Sequence, residues 1–238
     1  MTSVGINGLG RIGRLLTRRL FERHDARAAL RLTMCNEVAD AATVAHLLKY
    51  DSTHGRFSQP VMTDGDHLNI VDQAVLLTHE TAQSKVRWSD RDVNIVIDCT
   101  GVEFNRSSAA QHLGGSVSRV MLSQPASTDV DGTIIWGLND STLTPDMSVI
   151  SAGSCTSNAL MPVLSVIDEA FGIRAGIVTT IHSAMNDQPV IDAYHQTDLR
   201  KTRAAFNSVI PVETGLAQGV ERFFPHLTHK ISARALRV

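Results

Sequence analysis

Cysteine is scarce in this sequence: Cys35, Cys99 and Cys155 are the three among 238 residues. So few, so widely spaced, they exclude a disulfide framework. No paired C-x-x-C is present to bind zinc, and the expectation is a reducing compartment with no metal site. Aromatic residues reach only 5%. No apolar run is long enough for a membrane span, although 43% hydrophobic residues suffice for a buried core. A surplus of one charge is missing too. Lys and Arg number 22 against 24 Asp and Glu, a formal charge of −2, so no broad basic field is there to hold a polyanion. Neither nucleic acid nor a membrane is an expected partner. The first residues lead straight into a short apolar strand, without the basic and apolar regions of a secretory leader, and the expected location is the cytoplasm.

What is present is an alternation. Up to about residue 150, short apolar runs alternate with helical stretches, the signature of parallel βαβ units. Strands are predicted over residues 4–6, 30–35, 93–98, 120–122 and 148–150, and helices over 11–23 and 42–50. In the first helix Ile12, Leu15, Leu16 and Leu20 form a stripe expected to face the sheet. The texture changes near residue 153. A helix over 156–171 carries Leu160, Val163, Leu164, Ile167 and Phe171 on one face, with Gly172 as a left-handed stop and Pro162 as the expected irregularity. A strand over 177–181 and a long irregular stretch from 183 to about 211 follow. The prediction is an α/β chain with domains over 1–153 and 154–238.

Gly8-Leu9-Gly10-Arg11-Ile12-Gly13 follows the first strand at once and opens the first helix. Gly8 permits the tight turn, Gly10 lets backbone approach a pyrophosphate, and Gly13 allows the helix to pack closely on the strand. The helix N-terminus offers unpaired N–H groups to the anion. Glu37 ends the next strand about 24 residues past Gly13, near the spacing for an acid that binds the adenosine ribose hydroxyls. A carboxylate there also repels a 2′-phosphate, so the expected cofactor is NAD. The plainer alternative is an ordinary strand-to-helix turn followed by a solvated acid. Asp98-Cys99-Thr100-Gly101 and Ser123-Gln124-Pro125, at the carboxyl ends of later strands, are candidate cofactor contacts by position.

Cys155 stands between a strand and an amphipathic helix, where the helix dipole favours a thiolate. His182 ends a strand, and together the two would make a nucleophile and its base. From the pattern alone, a small buried hydrophobe and a hydrogen-bonded structural histidine remain open. Cys35 and Cys99 lie in or at the end of apolar strands and read as packing, with Cys99 near the cofactor.

Three segments together resemble the glyceraldehyde-3-phosphate dehydrogenase superfamily: Ile6 to Arg14 (INGLGRIGR), Ser154-Cys155-Thr156-Ser157-Asn158 and Thr179-Thr180-Ile181-His182-Ser183. Asn36-Glu37-Val38-Ala39-Asp40, Ala45 to Phe57 (AHLLKYDSTHGRF), His182-Ser183-Ala184-Met185 and Val190 to His195 (VIDAYH) are closer to the bacterial erythrose-4-phosphate dehydrogenases. The resemblance implies a Rossmann-type NAD-binding domain followed by an incomplete α+β catalytic domain. It implies a covalent mechanism in which Cys155 attacks an aldehyde, His182 takes the hydroxyl proton, hydride passes to the nicotinamide and a thioester remains. In that branch water releases 4-phosphoerythronate, on the route to pyridoxal 5′-phosphate. By the same resemblance Arg11, Ile12 and Glu37 meet the dinucleotide, Thr100, Gly101 and Ser123 lie along it, and Asn186 approaches the nicotinamide. Ser154, Thr156, Asp187, Thr214 and Arg237 match positions around a phosphorylated aldose. The basic cluster Arg200, Lys201 and Arg203 matches a loop at a subunit interface, which implies a homotetramer.

The departures are specific. Lys201 stands where the family usually has an arginine at the second phosphate site, which keeps charge and loses the planar fork. Ser157 replaces the usual threonine and Gly153 the usual asparagine-alanine context. Family members also continue past the arginine matched by Arg237, whereas this sequence ends at Val238, so a truncated chain is expected. Two alternatives follow: a phosphorylating glyceraldehyde-3-phosphate dehydrogenase, or a catalytically inactive NAD-binding remnant.

Overall fold

The computed structural model describes every residue of 1–238 except Glu103, Phe104, Asp187 and Gln196, so Asp187 lies outside the described residues. The chain forms two compact units, one of Met1–Ile134 with Asn139–Ser154, the other of Ile135–Leu138 with Cys155–Val238. The first unit holds strands β1 (Thr2–Asn7), β2 (Leu30–Asn36), β3 (Tyr50–Asp51), β4 (Gly55–Arg56), β5 (Val61–Asp64), β6 (His67–Ile70), β7 (Gln73–Thr78), β8 (Ile95–Asp98), β9 (Arg119–Leu122), β10 (Gly132–Thr133) and β11 (Val149–Ser151). Its α-helices are α1 (Arg11–Glu22), α2 (His24–Ala29), α3 (Ala41–Lys49) and α4 (Arg106–Ala109). The second unit holds α5 (Cys155–Phe171), β12 (Gly176–His182), β13 (Ile210–Val212), α6 (Leu216–Phe223) and β14 (Ile231–Arg237). Among the described residues no helix is long and apolar enough to cross a membrane.

In the first unit one sheet runs in the order β10-β11-β9-β8-β1-β2-β7-β6-β5. Neighbours from β10 to β7 are parallel, as expected for a Rossmann-type sheet. The antiparallel meander β7-β6-β5 escapes the sequence reading because its two outer strands are four residues each and partly polar. β1 lies between β2 and β8, so successive connections depart to opposite sides at its carboxyl end, which is where open α/β sheets bind ligands.

Helix α1 turns its inward face part of the way round from the stripe of Ile12, Leu15, Leu16 and Leu20. Gly13, Thr17 and Phe21 point inward at i, i+4 and i+8, with Leu16 and Leu20 packed alongside, while Ile12 is exposed at the helix start. Gly13 explains the rotation, because a Cβ there would lie 2.0 Å from the Gly8 carbonyl oxygen and the helix approaches the strand on that side. Arg18 is buried on the same helix. Its guanidinium donates to the carbonyls of Leu48 (2.8 Å) and Gly55 (3.1 Å) and lies over the Phe57 ring, tying the β3–β4 hairpin to α1.

The second unit builds a core from Met161, Leu164, Leu216, Val220, Phe224, Leu227 and Ile231, joined by Ile135. Its sheet has the order β12-β14-β13, with β12 parallel and β13 antiparallel to β14. Helix α5 continues through Pro162, and Gly172 closes it at φ 71° with its amide on the Asp168 carbonyl. The buried face is Ser157, Met161 and Leu164; Val163, Ile167 and Phe171 of the predicted stripe are exposed in this unit.

A carboxylate also secures the first unit at its far edge. Asp131 accepts the amides of Ser148 (2.8 Å) and Val149 (2.9 Å) and pairs with Arg106. The Val149 amide contributes most; with Ser148 and Arg106 it outweighs the effect of burial and holds the carboxyl down at about 2. A folded-state value below the unfolded one means that the stabilisation is complete above the ordinary carboxylate range and is lost as pH falls through the folded value. Asp131→Asn is expected to lose on the order of 2 kcal/mol at neutral pH and to flatten the acid limb of stability below about pH 4. Urea unfolding at a series of pH values measures both effects.

Candidate active site

Two sets of functional side chains form, one in each unit. In the first, a cavity of about 380 Å³ opens at the carboxyl ends of β1, β2, β7 and β8, lined by Gly8, Gly10, Glu37 and Thr100 together with Asn7, Asn36, Val38, Glu80, Thr81, Gln83, Cys99 and Val102. The glycines fit a dinucleotide backbone. Gly8 turns at φ 87°, and a Cβ there would lie 2.9 Å from the Thr100 amide nitrogen. A Cβ on Gly10 would meet nothing within 4 Å, so this position borders open space where a ligand approaches backbone. No side chain caps α1, and its first turn carries no acid, so the first amides of the helix are left for an anion.

Glu37 does more than its spacing implied. Its Oε2 accepts the Leu9 amide at 2.7 Å and its Oε1 the Ala39 amide at 3.3 Å, which braces the glycine loop against the end of β2. A carboxylate has about four lone-pair sites, so acceptor capacity remains for a ribose diol. Cys99 lines the cavity, yet burial pushes its thiol up to about 12, and burial raises the Cys35 thiol further. Of the other predicted cofactor residues, Arg11 and Ile12 are exposed on the first turn of α1, Gly13 packs on Gly8, Gly101 follows Thr100 at φ 71°, and the Ser123 amide donates to the Asp98 carbonyl at 2.9 Å. None of these five lines the cavity. Asn186 belongs to the second unit, where it borders a cavity with Met185, Gln188 and Phe206.

Asn7, Asn36 and Glu80 line the groove without having been singled out as site residues. For the two asparagines a signal existed: Asn7, Asn36, Thr78 and Asp98 are each the polar last residue of a strand in the sheet, whereas Glu80 lies two residues beyond β7. Those strand ends are the positions that border a ligand in this architecture.

In the second unit Cys155 is the first residue of α5 and is exposed, and His182 is the last residue of β12. Their side chains meet, with Cys155 Sγ 3.4 Å from His182 Nε2. The opposite ring nitrogen, Nδ1, lies 2.8 Å from the Ser183 carbonyl oxygen. A carbonyl only accepts, so Nδ1 carries a proton, and the Nε2 lone pair faces the sulfur. Arg237 pairs in register with His182 across β12 and β14, and its Nε is buried with no protein partner. Thr156 follows the cysteine on α5, and Ser154 precedes it as the last residue of the first unit. Thr214 is engaged locally, its Oγ1 accepting the Leu216 amide at the start of α6 (3.2 Å). Lys201 sits in the short 3₁₀ turn Leu199–Thr202, between Arg200, which pairs with Asp198, and Arg203, which pairs with Asp192. Both arginines of that cluster are therefore matched by acids of their own segment.

Comparison with known families finds a match in each unit. The NAD-binding domain of glyceraldehyde 3-phosphate dehydrogenase matches residues 2–106, and the C-terminal domain of the same enzyme matches residues 154–238. The cofactor is NAD, in keeping with the glycine loop and Glu37. With both domains matched over most of its length, this chain belongs to the glyceraldehyde-3-phosphate dehydrogenase superfamily of NAD-dependent dehydrogenases acting on phosphorylated aldehydes.

Proposed function

We propose that this protein oxidises erythrose 4-phosphate to 4-phosphoerythronate with NAD, through a covalent intermediate on Cys155. The observation that carries the chemistry is the 3.4 Å approach of Cys155 Sγ to His182 Nε2, with the ring oriented by Ser183. The choice of a four-carbon sugar rests on the segments 36–40, 45–57, 182–185 and 190–195, which resemble that branch of the family.

Each step has a residue. Cys155 adds through sulfur to the aldehyde carbon, and the carbonyl π pair goes to oxygen, which takes up the thiol proton by way of His182 Nε2, giving a thiohemiacetal. His182 Nε2 takes the hydroxyl proton as the C–H bond gives up hydride, so that the carbon becomes a thioester. The nicotinamide supplies the hydride acceptor when bound. Water then adds to the thioester carbon, the C–S bond breaks, and acid and thiol are released. Arg237 stands beside His182 with an unused Nε, suited to hold the sugar phosphate through its planar fork.

Two measurements test this reading. Iodoacetamide near neutral pH, followed by peptide mass spectrometry, is expected to label Cys155 at least about tenfold faster than Cys35 or Cys99, whose thiols are buried. Equal, slow labelling of all three would remove the nucleophile. NADH absorbance is expected to rise with erythrose 4-phosphate without added phosphate, to vanish in Cys155→Ser, and to fall by about a hundredfold or more in His182→Asn. A rate that requires phosphate and prefers glyceraldehyde 3-phosphate would instead assign the phosphorylating activity. NAD binding with no turnover of either aldehyde would make the chain an inactive NAD-binding protein.

A further inference from the structure

Beneath the dinucleotide groove runs a chain of side-chain hydrogen bonds that begins away from the cavity and ends in its wall. Trp88 Nε1–H donates to His112 Nδ1 at 3.0 Å. An indole nitrogen only donates, so Nδ1 accepts, and the ring proton sits on Nε2, 3.3 Å from Asp98 Oδ2. Asp98 is fully buried. Its Oδ2 also accepts Asn7 Nδ2–H at 2.7 Å, and its Oδ1 accepts the amide and the hydroxyl of Thr100 at 3.0 and 2.8 Å. Asn7 Oδ1 in turn accepts from Asn36 Nδ2 at 2.8 Å, and Asn36 grips the Glu80 backbone through both its amide and its carbonyl.

Thr100, Asn7, Asn36 and Glu80 line the groove; Trp88 and His112 do not. They are nonetheless held with care. Trp88 lies against β1 where Gly5 leaves a slot, since a Cβ there would come within 2.6 Å of the indole. A buried carboxylate depends on every donor it has, because none can be replaced by water. Without the His112 donor, Asp98 is left with an underused Oδ2. It either turns away from Thr100 or takes up a proton, and both changes loosen the groove wall.

We propose that His112, kept in its Nε2–H form by Trp88, is a positioning residue for dinucleotide binding, acting through Asp98 on Thr100 and Asn7. The proposal rests on the NAD assignment and is independent of the aldehyde substrate. The test is calorimetric titration of the full chain with NAD. His112→Phe, which keeps a ring and removes both bonds, is expected to weaken NAD binding about tenfold, the loss of roughly one charge-assisted hydrogen bond. Its Cys155 should still react with iodoacetamide at the parent rate. His112→Gln restores a donor toward Asp98 and an acceptor for Trp88, and is expected to recover most of that loss. In ¹⁵N NMR of the parent, His112 is expected to show a protonated Nε2 and a bare Nδ1. Should His112→Phe not fold, Trp88→Phe decides: loss of the indole N–H alone is expected to weaken NAD binding by about threefold. A folded His112→Phe, or in its place Trp88→Phe, that binds NAD as tightly as the parent would overturn the proposal. So would a proton found on His112 Nδ1.

Discussion

A carboxylate removed from water needs a full set of donors, and the first unit is arranged so that Asp98 has one. Burial works against its charge, and the bonds from His112, Thr100 and Asn7 more than offset it, so the carboxyl stays below its ordinary range. These donors come from the end of β1, from the turn after β8 and from the 3₁₀ turn after α4. One buried charge thereby joins segments far apart in sequence, at the point where connections leave β1 in opposite directions. The walls of the nucleotide groove are the outer ends of those bonds, which makes cofactor recognition and the integrity of the strand ends one physical problem.

Two of the histidines show how a partner determines what an imidazole does. His112 accepts a hydrogen bond from Trp88 at Nδ1 and presents Nε2–H to a carboxylate; it donates, and it holds. His182 donates its Nδ1–H to the Ser183 carbonyl and presents a lone pair to the Cys155 sulfur. The tautomers are opposite, and so are the roles they permit. The cysteines divide in the same way. Cys35 and Cys99 end apolar strands and carry raised thiols because they are desolvated, whereas Cys155 opens a helix at the surface beside an imidazole.

Much of the fold was legible because the first unit is built from strands buried on both faces. Residues 93–98 read as a strand from a continuous apolar run, and Gly8-Leu9-Gly10-Arg11-Ile12-Gly13 marked the passage from β1 to α1. The β5–β7 meander was not legible, since strands of four residues with polar positions give too short a period. The buried face of α1 was found in part, with Leu16 and Leu20 on the core, and that of α5 less well, with Val163, Ile167 and Phe171 exposed. Counting apolar residues found a stripe, but on α1 the contact is set by Gly13, which lets the helix approach the strand, and on α5 the buried positions are Ser157, Met161 and Leu164.

By itself the sequence determined the alternation of elements, the glycine turn, the acid at the end of β2 and the residue types of a cysteine–histidine pair, because each depends on neighbours within a few positions. The tertiary structure alone decided which of these groups touch. Cys155 and His182 are 27 residues apart, Trp88 and His112 24, and Asn7 and Asp98 91. Hydrogen bonds over such separations depend on strand order and register, and those are properties of the assembled sheet that no local pattern carries.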